Sequence, residues 1–135
     1  IERFDCVMVG TVTKDGRPRV NPVEAYILDG HLLMNMMAGS LKAVDLLRDP
    51  RIFVHTLVTS KAGTEGEFKI VGHARLLENE PLLVSFADFL EHKINWRPPP
   101  ESHSFDVAVE RVAFVRYDPD GTQHIRRWPD RRSRT

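Results

Sequence analysis

The sequence predicts a mainly β domain, an antiparallel barrel that carries two helices. Three observations predict it. Turn signals at Lys14-Asp15-Gly16, Asp29-Gly30 and Asp118-Pro119-Asp120-Gly121 separate runs rich in Val, Ile, Thr and Phe, the mark of β-hairpins. The runs number about seven, and that many hairpin-linked strands close into a barrel because closure hides their edges. Helical spacing is confined to one stretch running from Leu41 to the Asp49-Pro50 stop and another over residues 80–94. The 135 residues suit one domain, 1–135, and 41% apolar residues can fill its core.

In chain order, residues 4–13 form the first strand, with apolar residues on both phases and burial expected on both sides. Residues 17–28 return as one irregular strand. Pro18 and Pro22 place it at an edge or in a bulged stretch, where backbone groups stay free for a ligand. Residues 31–37 are the third strand. Ala38-Gly39 turns the chain, Ser40 stands at the helix N-cap, and Asp49-Pro50 ends the short helix. Residues 51–58 and 67–77 are strands four and five, with Gly72 marking a bulge or a close approach. In the long helix, Leu82, Leu83, Phe86, Phe89, Leu90 and Ile94 make one apolar stripe, with Asn79 as N-cap and Pro81 in the first turn. Pro98-Pro99-Pro100 forces an extended loop. Residues 105–117 alternate, then fall out of step, so a bulge near Glu110-Arg111 is expected. Residues 122–128 are the last strand, and the tail 129–135 is expected to be flexible.

A formal net charge of zero argues against nucleic acid or an acidic membrane as partner. The one basic cluster, Arg126-Arg127 and Arg131 to Arg134, reads as a solvated end. One cysteine, Cys6, excludes an internal disulfide and reads as a buried small residue. A secretory signal and an apolar run near 18 residues are both missing, which points to the cytoplasm. The chain opens on Ile1, so native sequence is expected to precede it. Nucleophile elbow, Walker loop and His-Glu-x-x-His are absent, and the six histidines lack metal-ligand spacing.

The most informative stretch is Gly39-Ser40-Leu41-Lys42. A strand turning through Gly-Ser into a helix presents backbone N–H groups at a positive dipole end, and Lys42 adds a full charge there. The pattern suits a phosphate. It equally describes a capped helix with a surface lysine.

Lys14-Asp15-Gly16-Arg17-Pro18-Arg19-Val20-Asn21-Pro22-Val23, then Gly39-Ser40-Leu41-Lys42-Ala43, then Leu47-Arg48-Asp49-Pro50-Arg51, resemble in order and spacing the pyridoxamine 5'-phosphate oxidase-like superfamily. The resemblance implies the flavin-binding split-barrel fold and a homodimer with two cofactor sites at its interface. It implies that Arg19, Val20, Asn21 and Pro22 line the flavin ring through backbone groups, that Asn35 and Met36 lie beside the ring or its ribityl chain, and that Ser40 and Lys42 bind the phosphate of flavin mononucleotide (FMN). Glu67 stands where the oxidase tends to carry a ring-contacting amide. Leu41 replaces the arginine of the oxidase phosphate motif, and the C-terminal region lacks the pattern that recognises pyridoxal phosphate, so the oxidase itself is not expected.

The function expected is therefore a flavin-dependent oxidoreductase acting on a small molecule, since a bound ring moves the hydride and the protein need supply no acid–base motif. A reductase using the deazaflavin coenzyme F-420 is the first alternative, with Arg48, Arg51 and Lys61 as extra basic residues for its acidic tail. A non-enzymatic dimer holding flavin or haem is the second, with His55 or His73 as a remote haem ligand. Trp96, Arg97 and Trp128 are candidate ring or substrate contacts across the dimer, against a plain reading as packing residues. No metal site is expected.

Overall fold

The computed structural model describes residues 6–130; the Arg131 to Arg134 part of the tail and the start of the first strand lie outside them. Eight strands and two helices follow in order: β1 (Cys6–Val12), β2 (Pro18–Glu24), β3 (Tyr26–Leu28), β4 (His31–Met36), α1 (Leu41–Arg48), β5 (Arg51–Thr56), β6 (Glu67–Leu76), α2 (Glu80–Ile94), β7 (His103–Tyr117) and β8 (Gln123–Trp128). All pairings are antiparallel, and the hydrogen-bonded order is β2-β1-β5-β6-β7-β4-β3, with β8 also on β7.

The ladder does not close as the strand count suggests. Its two ends, β2 and β3, are consecutive in sequence, and the backbone through Ala25 makes the junction that hydrogen bonds do not. Residues 17–28 are thus two strands instead of one. Val23 and Ala25 are buried in the main core, whereas Tyr26, the very next residue, is buried against α2. Successive side chains point to opposite faces, so at this corner one face of the chain meets the main core and the other meets α2. β2 carries Pro18 and Pro22 at an edge, where their missing N–H groups cost no ladder bond.

The main core fills the barrel with Val7, Val9, Met34, Met36, Val54, Ile70, Phe105 and their neighbours, and α1 closes it with Ala43 and Leu46. A second cluster joins α2 to β3 and β4 through Tyr26, Leu33, Phe86 and Leu90. β4 therefore buries Leu32, Leu33 and Met34 in succession, one face in each core. β1 differs from its expectation: Val7, Val9 and Thr11 are buried, but Cys6, Met8, Gly10 and Val12 are only half-buried, because the outer sheet surface has no second layer.

The bulge falls at Glu110. Val71 pairs with Arg111 and Gly72 with Val109, leaving Glu110 as the extra residue. A Cβ on Gly72 would overlap the Ala108 carbonyl oxygen, so the close approach read from the sequence is a backbone-to-backbone one. α2 spans the expected residues; the Asn79 side chain accepts from the Leu82 N–H at 3.0 Å, and Asn95 ends the helix at φ 52°.

Candidate functional site

The turn between β4 and α1 is built by Gly39, whose φ of 76° is a left-handed conformation that costs glycine little. The Ser40 N–H donates to the Met37 carbonyl at 3.1 Å, and the Ser40 carbonyl accepts from the Val44 N–H at 3.0 Å. Ser40 thus stands at the N-cap, as expected, with extended backbone at φ −61° and ψ 142°. Its side chain does not cap. The hydroxyl makes no bond to the helix, and its Oγ is buried without a partner among the described residues. Buried polar atoms are nearly always satisfied, so an orphaned hydroxyl at a helix N-terminus calls for a ligand acceptor. The first turn has no acidic side chain, and Lys42, two residues on, has no ion-pair partner among the described residues. A hydroxyl, a helix N-terminus and an ammonium fit a phosphate in kind, though Ser40 itself is not in the wall of the cavity that Lys42 borders.

Lys42 lines a cavity of about 370 Å³ between the β2–β3 corner, the end of β4 and the C-terminal half of α2. That volume lies within the range of small-molecule sites, roughly 300–1,000 Å³. Of the residues singled out from sequence, Pro22, Asn35, Met36, Lys42 and Trp96 meet here. Asn35 is held in place, its Nδ2 donating to Ser102 Oγ at 2.9 Å and Ser104 Oγ at 3.0 Å. The sequence reading missed Glu24, Tyr26, Phe86 and Leu90 in the same wall. The Tyr26 hydroxyl donates to Glu24 Oε2 at 3.1 Å. Glu24 and Tyr26 carry no local signal beyond strand alternation, and Phe86 and Leu90 are indistinguishable in sequence from ordinary helix core.

Arg19 does not line that cavity. Its Nε donates to Asp45 Oδ2 at 2.7 Å, and the same oxygen accepts from Thr11 Oγ1 at 2.8 Å. Arg48 Nη2 donates to Asp45 Oδ1 at 3.1 Å and to the Val12 carbonyl at 2.6 Å. Asp45 is 3% exposed. Burial pushes its pKa up, but the hydrogen bonds from Arg19, Thr11 and Arg48 outweigh burial and hold it below the ordinary 3.8. The sequence signal for this node is an aspartate beside the buried Ala43 and Leu46 with an arginine three residues on.

Other candidates lie elsewhere. Asn21 is half-buried and pairs with Val9. Val20, Gly10, Phe53 and Val71 form one lateral row across β2, β1, β5 and β6, alternate to the core positions, so they share the outer sheet face. Val20 is 62% and Phe53 41% exposed. Trp128, 57% exposed, lines with Phe53, Lys69 and Arg127 a separate cavity of about 320 Å³ on that face. Glu67 is on it too, with His55 Nε2 at 3.4 Å and Lys69 Nζ at 3.7 Å. Arg97 is strapped to α2 by Asp88 and Glu91, both at 2.8 Å. Of the remaining basic candidates, Arg51 is paired with Asp49 at 2.7 Å, which holds the Asp49 carboxyl down at about 2. His55 Nδ1 bonds the Thr56 carbonyl at 2.6 Å, and His73 pairs with Glu110. Among the described residues no group of His, Cys, Asp and Glu could hold a metal, and no helix is long and apolar enough to cross a membrane.

Comparison with known proteins bears on the family and the fold. The family model described as "Pyridoxamine 5'-phosphate oxidase" matches residues 1–116. No curated protein matches. Among solved structures, a heme binding protein of Mycobacterium smegmatis superposes with a TM-score of 0.67 at 18% identity, over 90% of this chain and 52% of that one, so the chain spans about half of its length. A putative pyridoxamine 5'-phosphate oxidase of Listeria innocua gives 0.68 at 16% identity, over 82% and 88% of the two chains. PhzG of Burkholderia lata 383, in complex with tetrahydrophenazine-1-carboxylic acid, gives 0.65 at 14% identity, over 91% and 75%. At these identities the likeness is one of fold.

Proposed function

The chain belongs to the pyridoxamine 5'-phosphate oxidase family, and from that premise we propose that it binds FMN beside α1 and acts in the cytoplasm as an oxidoreductase on a small molecule. The observation that carries this reading is the buried, unpartnered Ser40 Oγ at the N-terminus of α1, two residues before Lys42, which lines the cavity. Ser40, Lys42 and the first-turn N–H groups would hold the phosphate. Pro22, Asn35, Met36 and Trp96 would border the rest of the cofactor and exclude water from it. When bound, the flavin supplies hydride transfer.

The sequence candidates divide between this cavity and the outer sheet face that carries Val20, Glu67 and Trp128. A homodimer joined through the outer face accounts for both groups, because residues of one copy would then meet the cofactor held by the other. The exposed row of Val20 and Phe53 supplies apolar area for such a contact.

Other cofactors receive less support. A deazaflavin tail would need spare basic charge, yet Arg48 is committed to Asp45 and Arg51 to Asp49, leaving Lys61 of the three. A haem would need an imidazole facing its cavity, and neither His55 nor His73 lines the one beside Lys42. The test is a titration of the purified protein with FMN, coenzyme F-420 and haem in parallel, followed by fluorescence or absorbance. Stoichiometric FMN binding supports the reading. Binding of haem or F-420 in its place, or of none of the three, overturns it.

A further inference from the structure

Asp45 is a costly residue for its place. It sits in the middle of an eight-residue helix, between Ala43 and Leu46, which are both in the barrel core. An apolar residue there would bury area without any charge to desolvate. The node must therefore do something that packing alone does not.

α1 is two turns long, too short to be stable by its own hydrogen bonds. Its apolar grip on the barrel is small, since Leu41, Val44 and Leu47 are all more than 40% exposed and only Ala43 and Leu46 reach the core. Apolar contact is non-directional and would let so short a helix slide or roll. The Asp45 carboxylate is directional. One oxygen takes Thr11 of β1 and Arg19 of β2, and the other takes Arg48, whose guanidinium also holds the Val12 carbonyl at the end of β1. Two strands and the helix are thereby locked at one point. Ser40 and Lys42 lie within about one and a half turns upstream of that point, and Pro22 lies three residues along β2 from Arg19.

We propose that Asp45 is the positioning residue of the phosphate site: it fixes α1 against β1 and β2 so that Ser40 and Lys42 are held ready for the phosphate. The proposal rests on the FMN reading above. Asp45 itself touches no ligand; it acts through the orientation of the helix. A purely structural node would alter affinity for all ligands of the cavity together. A positioning node changes selectivity, because only a phosphorylated ligand uses Ser40 and Lys42.

The experiment compares FMN with riboflavin, which lacks the phosphate, by fluorescence titration of wild type, Asp45→Asn and Thr11→Val, each checked for fold by circular dichroism. Wild type is expected to prefer FMN. Asp45→Asn is expected to lose about tenfold of that preference, the equivalent of one charge-assisted contact, with riboflavin affinity little changed. Thr11→Val removes a single donor and should fall between the two. It also carries the comparison if Asp45→Asn does not fold. Folded variants that keep the wild-type preference overturn the positioning role while leaving the FMN reading intact. A wild type that binds FMN no better than riboflavin overturns the phosphate reading, and the positioning role with it.

Discussion

Arg19 of β2 and Asp45 of α1 meet at 2.7 Å inside the barrel mouth, across 26 residues of sequence. The carboxylate is almost fully buried, while 29% of the Arg19 side chain still reaches solvent.

This pair makes acid stability testable. The folded Asp45 pKa is lowered, so its contribution is present above the ordinary value of 3.8 and is lost as pH falls through the lower folded value. At neutral pH, Asp45→Ala should cost about 2 kcal/mol, discounted from a fully buried pair because both arginines are partly solvated. Urea unfolding at pH 7 and at steps below pH 4 checks this. The wild-type advantage should shrink in the acid series.

Ser40→Ala separates a cap from a ligand group. An ordinary N-cap serine costs about 1 kcal/mol when replaced by alanine. Here the hydroxyl makes no cap bond, so stability of the free protein should change by less than about 0.5 kcal/mol. FMN affinity should nonetheless fall. Lys42→Ala should weaken FMN about 10- to 100-fold, the worth of a charged hydrogen bond. Thermal melts without FMN and FMN titrations check the two halves.

Gly72→Ala should destabilise the sheet by about 2 kcal/mol, the scale of an overpacking strain. The new methyl would strike the Ala108 backbone, which cannot rotate away. Chemical denaturation is the measurement, and Gly10→Ala is its control, because a Cβ at Gly10 finds its nearest neighbour at an ordinary 3.4 Å.

Phe53→Arg tests the proposed dimer. Phe53 lies in the exposed row with Val20, and a charge there should convert a dimer to a monomer without unfolding the barrel. Light scattering on a sizing column reads the mass directly. If the cofactor site spans two copies, FMN binding should weaken in the same variant.

Much of this architecture is legible in the sequence where the determinant is local. Asp-Gly and Asp-Pro turns, the Asn79 cap and the apolar stripe of α2 act within a few residues, so those boundaries are read correctly. The bulge at Glu110 shows as an alternation that loses its phase. Ala25 is less legible. Alternation puts Val23 and Ala25 on one face and Tyr26 on the other, but nothing nearby announces that the Tyr26 face is also buried, because that depends on where α2 packs.

The site divides in the same way. By itself the sequence determined the family pattern, the Gly39-Ser40 turn and the placing of Lys42 in the first helical turn, all properties of contiguous residues. Only the tertiary structure decided that the Ser40 hydroxyl is buried and unspent, that Arg19 turns inward to Asp45, and that Glu67 and Trp128 lie on the outer face away from Lys42. Those facts depend on which strands become neighbours, and strand neighbours are set by burial summed over the whole chain, which no single segment encodes.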